Sequence, residues 1–111
     1  MYVPKQGDII FLEFDPQSGH EQKGRRPAIV VSNDKFNSIT NLAMVCPVTN
    51  TNRSFPLHIP LDDRTATTGV IMCEQAKTLD VSARNVVFKE KAPVDIVEEV
   101  VDVLIGLIEI L

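Results

Sequence analysis

The stretch GHEQKGRRPAIVVS, Gly19 to Ser32, sets a histidine, a glutamate, a lysine and two arginines directly before a run of Ile and Val. These are the side chains in the chain whose types and spacing are best suited to chemistry. Arg26 abuts Pro27, which ends a loop and starts an apolar strand, so its guanidinium stands on a rigid edge. A planar guanidinium can hold a phosphate through two parallel hydrogen bonds. His20 and Glu21 lie on the loop before it, and either an imidazole or a carboxylate can act as a general base. An arginine can stabilise the charge of a phosphorane. In type, these groups suffice to cleave RNA without a metal, because the 2′-hydroxyl of RNA attacks its own phosphate once deprotonated. A solvated charged loop has the same composition, and residue types alone do not separate the two readings.

Other chemistries find little support. His20 and His58 are the only histidines, and neither is spaced with cysteines or carboxylates as zinc ligands are. The chain has no phosphate-binding GxxxxGK[ST], no GxGxxG and no GxSxG. Cys46 and Cys73 lie in apolar runs and read as buried thiols rather than nucleophiles. No cofactor is expected.

The elements that must position Arg26 follow from period-2 patterning. Strands are expected over 8–14, 27–32, 42–49, 55–61, 70–79 and 86–91. Pro47 suggests a bulge or an edge within the third. In FPLHIPL, Phe55, Leu57, Ile59 and Leu61 share one face, while Pro56, His58 and Pro60 face outward on an edge strand. Residues 15–25, 33–41, 50–54 and 62–69 read as loops, and 80–85 as a turn or short helix. The tail PVDIVEEVVDVLIGLIEIL reads as a helix, with Val94, Val97, Val101, Leu104, Ile105 and Ile108 along its apolar stripe. Its extra apolar residues widen that stripe enough to serve a partner as well. About six short strands and one closing helix predict a mainly β (α+β) fold, a small strongly curved sheet or barrel.

With 111 residues the chain supports one domain, residues 1–111. No apolar run is long enough to span a bilayer and no signal peptide is evident, so a cytoplasmic protein is expected. The net charge of −4 argues at first against a nucleic-acid partner. Its distribution reverses that reading. Residues 1–60 hold six Lys/Arg and five Asp/Glu, 61–92 hold five of each, and 93–111 hold five acids and no base. The deficit belongs to the tail, and the rest is free to carry a local basic patch.

The segment GDIIFLEFDPQSGHEQKGRRPAIVVSNDKFN resembles the N-terminal half of the MazF/PemK (Kid) family of toxin endoribonucleases. The family's motifs stand here as Gly7-Asp8, Asp15-Pro16, Gly19-His20-Glu21-Gln22, Gly24, Arg26 and Pro27. VCPVTN (45–50) resembles its threonine-ended strand, and TTGVIMCEQAKTLD (67–80) its long strand. The resemblance covers about residues 5–108. It implies an SH3-like barrel of the CcdB/PemK kind with a C-terminal helix, usually a homodimer. It implies metal-independent, sequence-specific cleavage of single-stranded mRNA, leaving 2′,3′-cyclic phosphate and 5′-hydroxyl ends. It also implies a MazE-like antitoxin partner, with no membrane and no direct contact of the toxin alone with DNA.

Carried over residue by residue, the resemblance makes Arg26 and Thr49 the core catalytic pair, with Glu21 as base and His20 as the alternative base. The Kid branch also uses an arginine and an aspartate in the long strand. Those positions are Met72 and Glu74 here, which leaves Glu74 as a wall of the groove. Arg25, Arg53, Lys77 and Arg84 are expected to contact the RNA backbone, with Gln75 and Asn33 as base readers. Phe36 and Phe55 are the aromatics placed to stack on bases. Two other readings use the same barrel: a non-enzymatic CcdB-like poison of a protein such as DNA gyrase, and an inert RNA-binding relative.

Overall fold

The computed structural model describes residues 2–14, 25–51 and 55–111. Seven strands form one antiparallel sheet: β1 (Asp8–Leu12), β2 (Arg26–Val30), β3 (Leu42–Thr49), β4 (His58–Pro60), β5 (Val70–Met72), β6 (Lys77–Asp80) and β7 (Val87–Lys91). The spatial order is β4-β5-β3-β2-β1-β7, and β6 also pairs with β3. Strand β3 is the spine. Along one edge it pairs with β2; along the other its first half pairs with β6 and its end with β5. The sheet curls without closing, since no pairing joins β4 to β7 among the described residues.

The continuous apolar runs in β1, β2 and β3 reflect burial on both faces of the sheet. Ile9, Ile29, Cys46, Val48, Ile59 and Ile71 point to one side and pack with Ile96 and Val100 of helix α2 (Val94–Ile108). Ile10, Leu12, Ala28, Val30, Ala43, Val45 and Leu79 point into the concavity. Cys46 and Cys73 are free and buried, and burial is the main reason their thiols are pushed up to about 12 and about 11. Neither supplies a thiolate near neutral pH.

Several expectations are corrected. Residues 33–41 are not a loop: they hold helix α1 (Asp34–Thr40), whose first turn is capped by the Asn33 side chain and whose end is turned by Asn41 at φ 60°. Seven residues with only Phe36 and Ile39 apolar have too little apolar period to announce a helix, and both signals are caps. The strand expected over 70–79 breaks into β5 and β6 around a 3₁₀ turn, Cys73–Gln75. The edge strand over 55–61 shortens to His58–Pro60. Pro47 lies inside the central strand, in the gap where β3 changes partner from β6 to β5, so its missing N–H disturbs no ladder there. Helix α2 buries Ile96 and Val100, flanked by Val97, Val103 and Leu104, whereas Val94, Ile105 and Ile108 are exposed. The apolar stripe is rotated from the one the spacing suggested, because so many positions of this helix are apolar that its period is ambiguous.

The loop between β4 and β5 is pinned by ions. Arg64 bridges Asp62 and Asp95, tying the loop to the first turn of α2. Glu90 accepts from the N–H groups of Ala66 and Thr67 and from the Thr67 hydroxyl. Hydrogen bonds to Arg64 hold Asp62 and Asp95 below the usual carboxylate range, and Ser82 does the same for Asp80. Burial works against the charge on Glu90, but its three hydrogen bonds outweigh that and lower it too. Carboxyls depressed on folding stabilise the fold above their unfolded values, near 4, and lose that stability as pH falls through the folded values. Thermal melts should therefore be nearly flat from about pH 7 to about pH 5 and fall steeply below about pH 4. A melting temperature unchanged at about pH 3 would contradict this.

Candidate active site

The site begins with the register of β2 on β3. Ala28 faces Pro47, Ile29 faces Cys46 and Val30 faces Val45. The pairing ends at Ala28–Pro47, since Pro27 has no N–H to donate; projected two residues further, the same alternation puts Arg26 and Thr49 on one face, the face turned away from α2. Arg26 is exposed and sits across from Leu12 of β1, so its backbone is held on that side. Thr49 accepts the N–H of Thr51 on Oγ1 at 3.1 Å. Among the described residues its hydroxyl hydrogen has no acceptor, and donation from it is what a phosphate oxygen requires.

Thr49 is fixed from behind by Gly69. That glycine has φ +119°, and a Cβ there would lie 2.4 Å from the Thr49 carbonyl oxygen. Gly69→Ala should both strain the backbone and displace Thr49. A loss of at least about 1–3 kcal/mol is expected, read by urea unfolding. Wild-type stability in that variant would show that the two chains are not held this close.

The concave face continues across β5 and β4. Thr49 faces Val70, and His58 faces Met72. Together with the 3₁₀ turn they enclose an open groove of about 280 Å³ lined by Thr49, Thr51, His58, Met72, Glu74 and Gln75. Within it His58 Nε2 lies 3.0 Å from Glu74 Oε2, and the His58 side chain is only 7% exposed. The Phe55 ring covers the imidazole at 5.1 Å between centroids, and Phe55 itself is 46% exposed. The outward-facing His58 expected from the alternation is thus corrected: Phe55 and Glu74 cover it.

The expected site residues divide into three groups. Arg26, Thr49 and Gln75 come to this face, with Arg25 exposed beside Arg26 and reaching the Asn85 carbonyl at 3.4 Å. Lys77 begins β6 on the same face and holds its ammonium 5.8 Å from the Phe14 ring centroid. Asn33 and Arg84 stand elsewhere. Asn33 lies beyond the far end of β2 from Arg26, at least four strand steps or roughly 13 Å away, and its Oδ1 caps α1. Phe36 is carried on that same helix. Arg84 is half-buried and donates to the Glu13 and Phe14 carbonyls, while Glu13 N–H donates to the Arg84 carbonyl. It clamps the end of β1 beside the segment 15–24. His20, Glu21 and Arg53 lie outside the described residues. The sequence reading passed over His58, and it gave Glu74 no more than a wall; the register of β4 on β5 and the 3₁₀ turn are what join them.

With this geometry in view, the comparisons with known proteins fall into place. Residues 5–108 match the family model described as PemK-like, MazF-like toxin of type II toxin–antitoxin system. Endoribonuclease PemK of Escherichia coli is 39% identical over 86% of this chain and 75% of that protein. Endoribonuclease toxin MazF of Escherichia coli strain K12 is 34% identical over 95% of this chain and 96% of its own. A crystal structure of MazE–MazF from Deinococcus radiodurans superposes with a TM-score of 0.86 at 31% identity, covering 100% of both chains. The chain belongs to the PemK-like, MazF-like toxin family of type II toxin–antitoxin systems.

Proposed function

We propose that this protein is the toxin of a type II toxin–antitoxin pair and a metal-independent endoribonuclease that cuts single-stranded mRNA at a short sequence. The observation that supports the reading is the β2–β3 register, whose alternation, carried past Ala28–Pro47, puts Arg26 and Thr49 on one face. A base, Glu21 or His20, removes the proton of a 2′-hydroxyl. The 2′-oxygen attacks the adjacent phosphorus, and negative charge gathers on the non-bridging oxygens of a phosphorane. Arg26 and the Thr49 hydroxyl meet that charge with donors fixed before the reaction begins, so no reorganisation is needed as it develops. The bond from phosphorus to the 5′-oxygen then breaks, and that oxygen takes up a proton. The products are a 2′,3′-cyclic phosphate and a 5′-hydroxyl. Arg26 stabilises charge rather than giving up a proton, because a guanidinium stays protonated.

Arg25 and Lys77 extend a positive rim along the backbone path, and Gln75 offers donors and an acceptor to a base. The acidic tail lies on α2, away from this rim, which is why the whole-chain charge misleads. A second copy would cover the exposed apolar end of α2, Ile105, Leu107 and Ile108, and a homodimer is part of this reading. The partner that restrains the toxin is a MazE-like antitoxin, as in the Deinococcus radiodurans complex, and a cytoplasmic location is part of this reading.

The test is cleavage of a long single-stranded RNA in EDTA, with the ends mapped. Cuts at one short recurring sequence with 5′-hydroxyl ends are expected. Intact RNA after incubation with folded protein would overturn the reading and favour a poison of a protein target.

A further inference from the structure

The groove holds more than the phosphate-binding pair. His58 Nδ1 and Glu74 Oε1 are buried and have no hydrogen-bond partner among the described residues. Leaving such atoms unpaired costs about 1–3 kcal/mol each, so their persistence beside an open groove needs a reason. The pair also fixes their character. A carboxylate only accepts, so the hydrogen between His58 Nε2 and Glu74 Oε2 belongs to the imidazole. With the imidazole neutral, Nδ1 presents a lone pair, and Oε1 presents a second. The inner groove therefore offers two acceptors and no donor from this pair.

Position selects the ligand. His58 sits on β4, two strands from Thr49 on β3, with β5 between them. Two strand spacings across and a two-residue offset along the strands make about 12 Å. That span suits a base neighbouring the scissile phosphate rather than the 2′-hydroxyl attacking it. Phe55, tilted 59° against the imidazole and half exposed, leaves a ring face for a base to stack on.

We propose that His58 and Glu74, roofed by Phe55, form a nucleobase-reading subsite that accepts a base bearing an exocyclic amino group, next to the phosphate held at Arg26 and Thr49. Adenine, cytosine and guanine each carry such a donor group. Uracil carries none: its one donor on that edge, N3–H, can reach only one of the two acceptors and brings a flanking carbonyl oxygen against the other. The subsite therefore discriminates against uridine at one position of the cleaved sequence. The inference rests on the ribonuclease reading above.

The experiment compares wild type and Glu74→Gln on an RNA pool randomised around the cut, sequenced after partial cleavage. Wild type is expected to exclude uridine at one position by about tenfold or more, as one good base contact does. Glu74→Gln, which replaces an acceptor by an amide that also donates, is expected to relax that exclusion about tenfold at that position alone. A second arm needs no variant to fold. In the cleaved sequence, the amino-bearing base is replaced by its amino-less analogue, inosine for guanosine or purine riboside for adenosine. Wild-type kcat/KM should drop about tenfold, and Glu74→Gln should show no further drop. Identical positional profiles in the two proteins would overturn the proposal. So would an equal loss on every sequence, which assigns the pair to chemistry or folding, or an unchanged profile with weakened antitoxin binding, which assigns it to the protein partner. If folded wild type cuts nothing, the ribonuclease reading has failed, and the bound fraction of the same pool, sequenced for both proteins, decides the subsite by itself.

Discussion

Arg26→Ala should lower RNA cleavage by about 10²–10³-fold, the usual cost of removing one fixed donor from a charged transition state. The loss should fall on kcat more than on KM, because Arg25 and Lys77 remain to hold the RNA backbone. Stability should barely change: Arg26 is exposed and starts its strand, and its pairing with Leu12 of β1 does not depend on its side chain. Arg26→Lys is the sharper comparison. It keeps the charge and removes the planar fork, so it should recover binding but little of the rate. Thr49→Val, which removes the hydroxyl while keeping the shape, should give a smaller loss, and the double variant should lose less than the sum if the two residues act on one phosphate. Cleavage by Arg26→Ala within about tenfold of wild type would remove Arg26 from the chemistry.

The parts of this arrangement were unevenly legible in the sequence. Strand β3 was read at its true bounds, because LAMVCPVT is apolar throughout and flanked by Asn41 and Asn50. Its doubly buried character explains the run: α2 covers one face and the concavity the other. Arg26 was legible because Pro27 follows it and an apolar strand follows that. Its meeting with Thr49 was not, since it depends on a register shared by residues twenty-three positions apart, and only the family resemblance joined them. The break after Met72 was hidden for a related reason. Nothing in CEQAK interrupts a strand pattern; what bends the chain is tertiary, with Cys73 N–H donating to the Leu57 carbonyl at 3.4 Å and the Cys73 side chain buried against the α2 cluster. That bend turns Glu74 toward His58. Period-2 reasoning assigns each side chain to a face but does not say which face another element covers, and so it set His58 in solvent. Burial of α1's Asn37, which donates to the Pro4 and Ser32 carbonyls, was illegible in the same way.

Ile71→Ala should produce the largest loss of stability that also reaches the site. Ile71 is fully buried at the centre of β5, facing Val48 on one side and Ile59 on the other. Truncation leaves a cavity in the cluster that α2 covers, at a cost of about 2–5 kcal/mol. In a chain of this size that corresponds to a fall in melting temperature of about 10 °C or more. The damage should not be uniform. Strand β4 has three residues and pairs only with β5 among the described residues, so His58 keeps its place through that ladder. Loosening β5 therefore opens the groove wall before the rest of the sheet, as low-stability segments open locally. Ile9→Ala is the control: Ile9 is equally buried in the same cluster but stands on β1, remote from β4. At matched fractions of folded protein, Ile71→Ala should cleave RNA more slowly and lose selectivity against uridine, while Ile9→Ala should keep both. Amide exchange should place the extra opening in residues 58–60 and 70–72. Equal activity per folded molecule in the two variants would show that the groove does not depend on how firmly β5 is packed, and that the His58–Glu74 pair is held by the turn at Cys73–Gln75 instead.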